Sequence, residues 1–338
     1  MSDWMGSRGS KRAFLGVSRH DPIQLLTVGA RGRERGVKYG VKMIIEVPVD
    51  APRISLRHLD EEGRASDLVG HLVAADDDRL VILPEDKPAV WLQRSMVRNI
   101  RRVPERTVLP ASPPDALQRI LDRTWPGVRR ARLGGWVLRD GHGRTSRANS
   151  ALVSGDAGLP FPEALKLADE WRGQPTILQV VMGDRCIDQA RAQGYELRGP
   201  TVVMVARADD LPYDHVEVKV SPEPDEGWLS IWRGGRADAG LVAEMTSAPA
   251  SYAQIPGIAV GRVALWGSWA VISSVEVVPA LRGAGWGRAM TRALVDSVEC
   301  RFVALQVGEE NAVARSLYAK EGFVEHHTYA YLFPPTVA

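Results

Sequence analysis

Between residues 269 and 299 the apolar run WAVISSVEVVP passes through the turn ALRGA into GWGRAMTRALVDSVE, whose apolar residues fall at 286, 290, 293, 294 and 298. That pattern commits this part of the chain to a strand, a glycine turn and a helix packed back on the sheet. It also leaves a helix start whose first amides have no intrahelical acceptor, at the positive end of the macrodipole. Glycines at 283, 285 and 287 remove Cβ atoms, so a diphosphate can approach those amides closely, and Arg282 adds a charged donor at the mouth of the loop. Tight helix–sheet packing accounts for a lone Gly-x-Gly equally well. A dinucleotide fold places its loop after the first strand, with an acidic residue about 20 positions later. Here the loop follows the fourth strand of its block, and no Gly-Lys-Ser/Thr is present, so the NAD and P-loop readings both fail.

The next motif is NAVARSLYAKEGF, residues 311–323. Asn311 suits a helix N-cap and Gly322 the residue past the helix end. Asn311 and Tyr318, seven apart, share one side of the helix. Strand, Val-x-Pro-x-x-Arg-Gly-x-Gly-x-Gly, helix, strand FVALQVG and Asn-x6-Tyr-x3-Gly-Phe together closely resemble the GNAT superfamily of acyl-CoA-dependent N-acetyltransferases, over roughly residues 257–333. The wider chain, with GGWVLRDGHGRTSRANS at 134–150, resembles the tandem-GNAT group with an SH3-like N-terminal domain, often labelled N-acetylglutamate-synthase-like.

The resemblance implies that acetyl-CoA lies between a splayed strand and its neighbour, with no metal. The backbone of Val275, Glu276 and Val277 would pair with the pantetheine arm. The Val277 N–H would face the oxygen on which negative charge develops. Arg282 and the amides of Gly283, Ala284, Gly285, Trp286, Gly287 and Arg288 would hold the pyrophosphate. Asn311 either hydrogen-bonds the pantetheine or diphosphate region or simply caps its helix. Tyr318 is the expected general acid, because a phenol of pKa about 10 is still protonated when it meets a leaving thiolate of pKa about 8.5. Its alternative is a tyrosine packed against the cofactor. For the base, relatives place a carboxylate where this chain has Ser273 and Ser274. Glu276, on the face opposite Val275 and Val277, could orient a water or pair with an arginine. Glu244, in the expected strand GLVAEMTSA, is the other candidate, and an ordered water with no dedicated base is a third solution.

Along the rest of the chain, residues 1–42 are rich in Arg, Lys, Gly and Ser and read as a disordered basic tail or a start assigned ahead of Met43. From 43 to 104 short alternating runs (MIIEVPV, RISLRHL, DLVGHLVAAD, RLVILPE, AVWLQ, VRNIRRV) are separated by turn residues, the pattern of a small closed SH3-like β-barrel. A packing or dimerisation module is its simplest role, which leaves a homodimer open. Residues 105–114 form a proline-rich linker. Two blocks then end alike, in a helix, a Gly-aromatic pair (Gly194-Tyr195 and Gly322-Phe323, 128 apart) and an apolar strand. This suggests two copies of one unit, 115–210 and 211–338. In the first copy Gly183 and Ala190 stand where Asn311 and Tyr318 would, and the glycine run is missing, so it reads as a degenerate GNAT-like unit. The expected fold class is α+β: a tandem GNAT fold preceded by a small SH3-like β-barrel.

A net charge of +2 argues against general nucleic-acid or membrane-surface binding. Cys186 and Cys300 have no metal-type spacing and read as reduced structural thiols. Trp228, Trp232, Trp266 and Trp269 read as core ahead of acceptor-pocket lining, and His326 and His327 as solvated turn residues. The chain is expected to be a cytoplasmic acetyl-CoA-dependent N-acetyltransferase acting on a small primary amine or amino acid. The alternatives are a protein N-terminal or lysine acetyltransferase, and a non-catalytic acyl-CoA-binding regulator.

Overall fold

The computed structural model describes residues 44–48, 51–60, 62–85, 89–212 and 216–335; the expectations for residues 1–42 and Met43 lie outside the described residues. After a short first strand β1 (Ile45–Glu46) come β2 (Arg53–Leu59), β3 (Ala65–Ala75), β4 (Arg79–Leu83), β5 (Val90–Gln93) and β6 (Val97–Arg102). The last five form their own antiparallel sheet in the order β5-β4-β3-β2-β6. Asp76 makes one of its turns, accepting from the amides of Asp78 and Arg79 at 2.8 and 2.6 Å. The expected closure into a barrel is not seen among the described residues. A three-residue 3₁₀ turn, Arg94–Met96, joins β5 to β6, and the two do not pair. β6 exposes Arg98, Asn99, Arg101 and Arg102, and such charge blunts an edge against further pairing. MIIEVPV is also not a strand of this sheet. Ile45 and Glu46 pair with Arg132 and Ala131 of the larger sheet, while Ile45 and Val47 pack with Val73, Val81 and Leu83 of the small one, tying the two together.

The remaining elements are α1 (Pro114–Thr124), β7 (Arg129–Leu133), β8 (Trp136–Asp140), β9 (Ser150–Leu152), α2 (Phe161–Arg172), β10 (Ile177–Val181), α3 (Cys186–Arg191), β11 (Glu196–Arg207), β12 (Lys219–Ser221), α4 (Glu226–Ile231), α5 (Ala239–Met245), β13 (Ser251–Ile255), β14 (Ala259–Trp266), β15 (Trp269–Val277), α6 (Trp286–Asp296), β16 (Phe302–Gly308), α7 (Ala312–Lys320) and β17 (Val324–Phe333). All the strands here join β1 in one mixed α/β sheet of twelve, β1-β7-β8-β9-β10-β17-β11-β16-β15-β14-β13-β12. The pairs β9–β10 and β15–β16 are parallel, each joined by a crossover helix, α2 and α6 respectively.

The middle of the sheet is interleaved. β17, the last strand, pairs with β10 on one side and β11 on the other, and β11 then pairs with β16. Each half of the chain therefore completes the other's sheet. Met290 and Leu294 of α6 pack on Ala253, Val263, Ala270 and Ile272 on one face. Leu117, Ile120 and Leu121 of α1 cover Trp269, Val271 and Phe302 on the opposite face. Each such side chain stabilises by about 1.5–3 kcal/mol when fully buried.

One expected strand is a helix. Asp238 caps α5 by accepting from the Leu241 amide at 2.8 Å, and Leu241, Glu244 and Met245 fall on one buried side, so GLVAEMTSA follows a period of 3.6 rather than 2.

Candidate active site

The site is built on a defect in β15. Between Arg262↔Ser273 and Val260↔Glu276 the register advances two residues on β14 and three on β15, so β15 carries one extra residue. Ser274 is the odd residue, with φ 56°. The bulge reverses the alternation: Ala270 and Ile272 face α6 before it, and Val275 and Val277 face that side after it. Parallel pairing with β16 ends at Ile272↔Leu305. Beyond that point the two strands separate, and among the described residues nothing pairs with residues 273–277 on the β16 side. Val278 N donates to Ile258 O at 2.9 Å on the β14 side, so by alternation the Val277 N–H points into the gap.

The glycine loop stands at the end of this gap. Gly283 and Gly285 have φ 82° and 89°, a conformation that favours glycine, and no side chain caps the first turn of α6. Arg282 Nε donates to Val277 O at 3.2 Å, which anchors the loop to the strand. Gly287 differs from the other two: its φ is not left-handed, and a Cβ there would lie in ordinary contact, 3.6 Å from Leu317 Cδ1 and 3.9 Å from Val277 Cγ2. These features suit a bound diphosphate and a pantetheine arm.

α7 covers the far side with no buried residue of its own, and Val313 is 82% exposed. Asn311 Oδ1 accepts from Ala314 N at 3.1 Å, the helix-cap geometry. Tyr318 is half-buried, edge-on to Phe323 with ring centroids 5.8 Å apart, and packs against the same core as Val275, Val277 and Trp286. Burial pushes its phenol above the ordinary value, with a hydrogen bond to Thr291 working the other way. Thr291 gives its own proton to Gly287 O at 2.8 Å, beside the glycine loop.

On the opposite face, Glu276 Oε2 accepts from the backbone amide of Arg233 at 2.7 Å. Arg233, Gly234 and Gly235 form a left-handed run with φ 51°, 62° and 74°. This turn, Glu276, Arg282 and Arg144 of the 141–149 loop line an open cleft of about 710 Å³.

Residues 115–332, from α1 to β17, match the family model described as "Probable histone acetyltransferase Rv0428c C-terminal". The chain belongs to this family. It is a GNAT-type N-acetyltransferase, and folds of this type bind acetyl-CoA. A relative from Mycobacterium tuberculosis (strain ATCC 25618 / H37Rv), named probable histone acetyltransferase Rv0428c, is 24% identical over 307 residues, spanning 83% of this chain and 94% of its own length. Among solved structures, a GCN5-related N-acetyltransferase from Kribbella flavida is 14% identical with a TM-score of 0.49, covering 66% of this chain and 96% of that one. A tandem GNAT protein from the clavulanic acid biosynthesis pathway is 16% identical with a TM-score of 0.40, covering 60% and 77%.

In this acetyltransferase Glu244 has a different place from the one expected. It is fully buried on α5, and Oε1 accepts from His142 N, Arg144 N and Asn149 Nδ2 at 2.8, 2.9 and 2.7 Å while Oε2 accepts from Thr145 Oγ1 at 2.7 Å. A fully buried carboxylate that accepts four hydrogen bonds from one loop fixes that loop. Ser273 accepts a long 3.4 Å bond from the buried Arg262, leaving Glu276 as the carboxylate on the strand that faces the cavity.

Trp228, Trp232 and Trp269 are core, with Trp228 Nε1 bonded to Gly261 O and Trp269 Nε1 to Val108 O, and Trp266 is half-buried beneath the Arg123 guanidinium. His326 and His327 are not turn residues but lie on β17. Gln179 Nε2 donates to Gln118 Oε1, Gln118 Nε2 to His327 Nε2, His327 Nδ1 to His326 Nδ1, and His326 Nε2 to Ser112 O, at 2.9, 2.8, 2.6 and 3.0 Å. That order of protons requires both rings to be neutral. Burial, with the neighbouring His326, pushes His327 down to about 4. The Arg233–Gly235 turn and the 141–149 loop were missed from sequence, although RGGR and GHGRT carry the glycine–arginine pattern that marks them.

Proposed function

We propose that residues 211–338 catalyse direct transfer of an acetyl group from acetyl-CoA to the primary amine of a small acceptor or amino acid. On this reading residues 115–210 are a GNAT-like unit without a site of its own, and residues 43–104 an SH3-like module, whose strand order with a 3₁₀ turn between the last two strands favours that assignment. The observation that carries the reading is the gap between β15 and β16 past Ile272, flanked by an uncapped glycine-rich helix start and by a phenol held protonated.

Acetyl-CoA supplies an activated thioester. The amides of residues 283–288 and Arg282 hold the diphosphate, the backbone of residues 275–277 aligns the pantetheine arm, and the Val277 N–H donates to the thioester carbonyl oxygen. The acceptor enters from the Glu276 face. Its ammonium gives up a proton through Glu276, directly or by one water, and the neutral nitrogen forms a bond to the acetyl carbon as the C–S bond breaks. Tyr318 delivers its proton to the departing sulfur, and the second amine proton leaves through Glu276. Positioning both reactants in one gap supplies much of the rate.

The test is release of CoA thiol from acetyl-CoA with pooled amines, comparing wild type with Tyr318→Phe. The reading expects release with at least one pool and a fall of about 10²-fold in the variant, with acetyl-CoA affinity little changed. Equal rates in the two proteins would remove Tyr318 from the chemistry.

A further inference from the structure

The cavity on the Glu276 face has a charge balance unsuited to a cationic acceptor. It is lined by four arginines, Arg144, Arg233, Arg236 and Arg282, against two carboxylates, Asp238 and Glu276. Arg144 is paired with Asp238 at 2.9 Å, but both side chains are about half exposed, so the pair is readily exchanged for a ligand. Arg233, Arg236 and Arg282 have no carboxylate within ion-pair distance among the described residues. Arg282 belongs to the glycine loop, with Nε on Val277 O. The other three reach the cavity from elements that carry none of the acetyl-CoA-binding backbone.

Two features show that this arrangement is built. Arg233 is one of two non-glycine residues with positive φ among the described residues, and the other is Ser274 of the bulge. Backbone strain of this kind persists where the surroundings impose it, and it concentrates at sites that handle ligands. The turn aims Arg233 N at Glu276 Oε2 (2.7 Å) and holds Arg236 Nε on Arg233 O (3.3 Å), so arginines and carboxylate form one unit. The second feature is the 141–149 loop. It comes from the first half of the chain and is fastened to the second half by the four hydrogen bonds to buried Glu244, one of them from the Arg144 amide itself. The result is a first-half arginine fixed at the mouth of a second-half cavity.

We infer that the acceptor is an amine that also carries a carboxylate, held by Arg144, Arg233 and Arg236 while its amine faces Glu276, and that Arg144 makes the first half a determinant of acceptor choice. The inference rests on the transferase reading above. Carboxylates suit guanidinium forks, which bind them with two parallel hydrogen bonds. A lysine-rich peptide or a polyamine would bring positive charge to a cavity already in cationic excess. Ile231 and Leu241 form an apolar wall beside the arginines, room for a short aliphatic stem between the two charged ends.

The experiment is thiol release from acetyl-CoA with matched acceptors at equal concentration: glycine and L-glutamate, glycinamide and ethylamine, spermidine, and a lysine-rich peptide. The expected result is that a carboxylate-bearing amine exceeds its neutral or cationic counterparts at least tenfold in kcat/KM. In Arg236→Gln and Arg144→Gln, KM for that acceptor should rise tenfold or more, KM for acetyl-CoA stay within about twofold, and the preference for carboxylate over amide narrow. A purely structural role would weaken both acceptor classes equally. Turnover led by spermidine, the peptide or the neutral amines overturns the inference and leaves the transferase reading standing, as does an increase in KM for acetyl-CoA alone. No release with any amine overturns the transferase reading itself, and the inference with it.

Discussion

The two halves of the chain contain the same strand–loop–helix unit and treat it in opposite ways. In the first, β9 pairs with β10 up to Leu152↔Gln179, Val153 N reaches Gln179 O at 2.9 Å, and β9 ends there with no bulge. In the second, β15 parts from β16 after Ile272 and bulges at Ser274. The loops differ in the same sense. Pro160 and Pro162 remove amides from the start of α2, and Glu163 puts a carboxylate in its first turn, where a phosphate would be repelled. Gly283 and Gly285 leave the start of α6 open. Where α7 offers Tyr318, α3 offers Ala190, fully buried. The first half also fills its centre, with Asp122 held between Arg130 and Arg139, and Arg139 bonded to Ser150 and Gln179. A backbone left unpaired is costly unless something completes it. The first half completes itself, whereas the proposed reading has acetyl-CoA complete the second. The first half then serves the second through β11 and the 141–149 loop.

Separating the halves is the harshest way to break that comparison. Residues 211–338 alone lose β11 from between β16 and β17, and with it the buried contacts of Val202, Met204 and Val205. The fragment is expected to be unfolded by near-ultraviolet circular dichroism and amide exchange. A folded fragment that binds acetyl-CoA would show that the interleaved strands are dispensable.

Glu244→Ala comes next in size. It strands four donors around a buried cavity and should cost about 3 kcal/mol or more in urea unfolding. Unchanged stability with abolished turnover would restore Glu244 as a base. Ligand protection is subtler. α7 has no buried residue, so acetyl-CoA should slow hydrogen exchange in residues 312–320 and leave α3 unaffected. Equal protection of both helices would mean two occupied sites.

The smallest effect concerns pH. Folding lowers His327 from 6.5 to about 4, so the unfolded chain takes up a proton that the native ring refuses. Stability should decline as pH falls from about 6.5 towards 4, and His327→Gln should flatten that part of the profile. A wild-type stability that is level across that window would contradict the neutral His326–His327 chain.

The second half was legible because its loop and last helix carry local signals: glycines for positive φ, an asparagine cap, a tyrosine seven residues on. Glu276 could be placed opposite Val275 and Val277 by alternation alone. What could not be read are features that depend on distant pairing. A bulge at Ser274 is defined by its partner β14, and the insertion of β17 beside β10 has no local trace. The role of Glu244 depends on residues about a hundred positions away, and the helix around it was mistaken for a strand because LVAEM is short and apolar. The small sheet was recognisable from its alternation, but closure depends on whether the ends of β5 and β6 meet, which alternation does not specify.

The central claim, one open site in the second half and a closed one in the first, is most directly tested by calorimetric titration of the full chain with acetyl-CoA. Wild type should bind one equivalent. Gly285→Asp, with its carboxylate in the diphosphate cradle, should lose binding; the strain of a side chain at φ 89°, about 1–3 kcal/mol, is small enough to leave the chain folded, which circular dichroism checks. Two equivalents in the wild type, or unchanged affinity in a folded Gly285→Asp, would contradict the account.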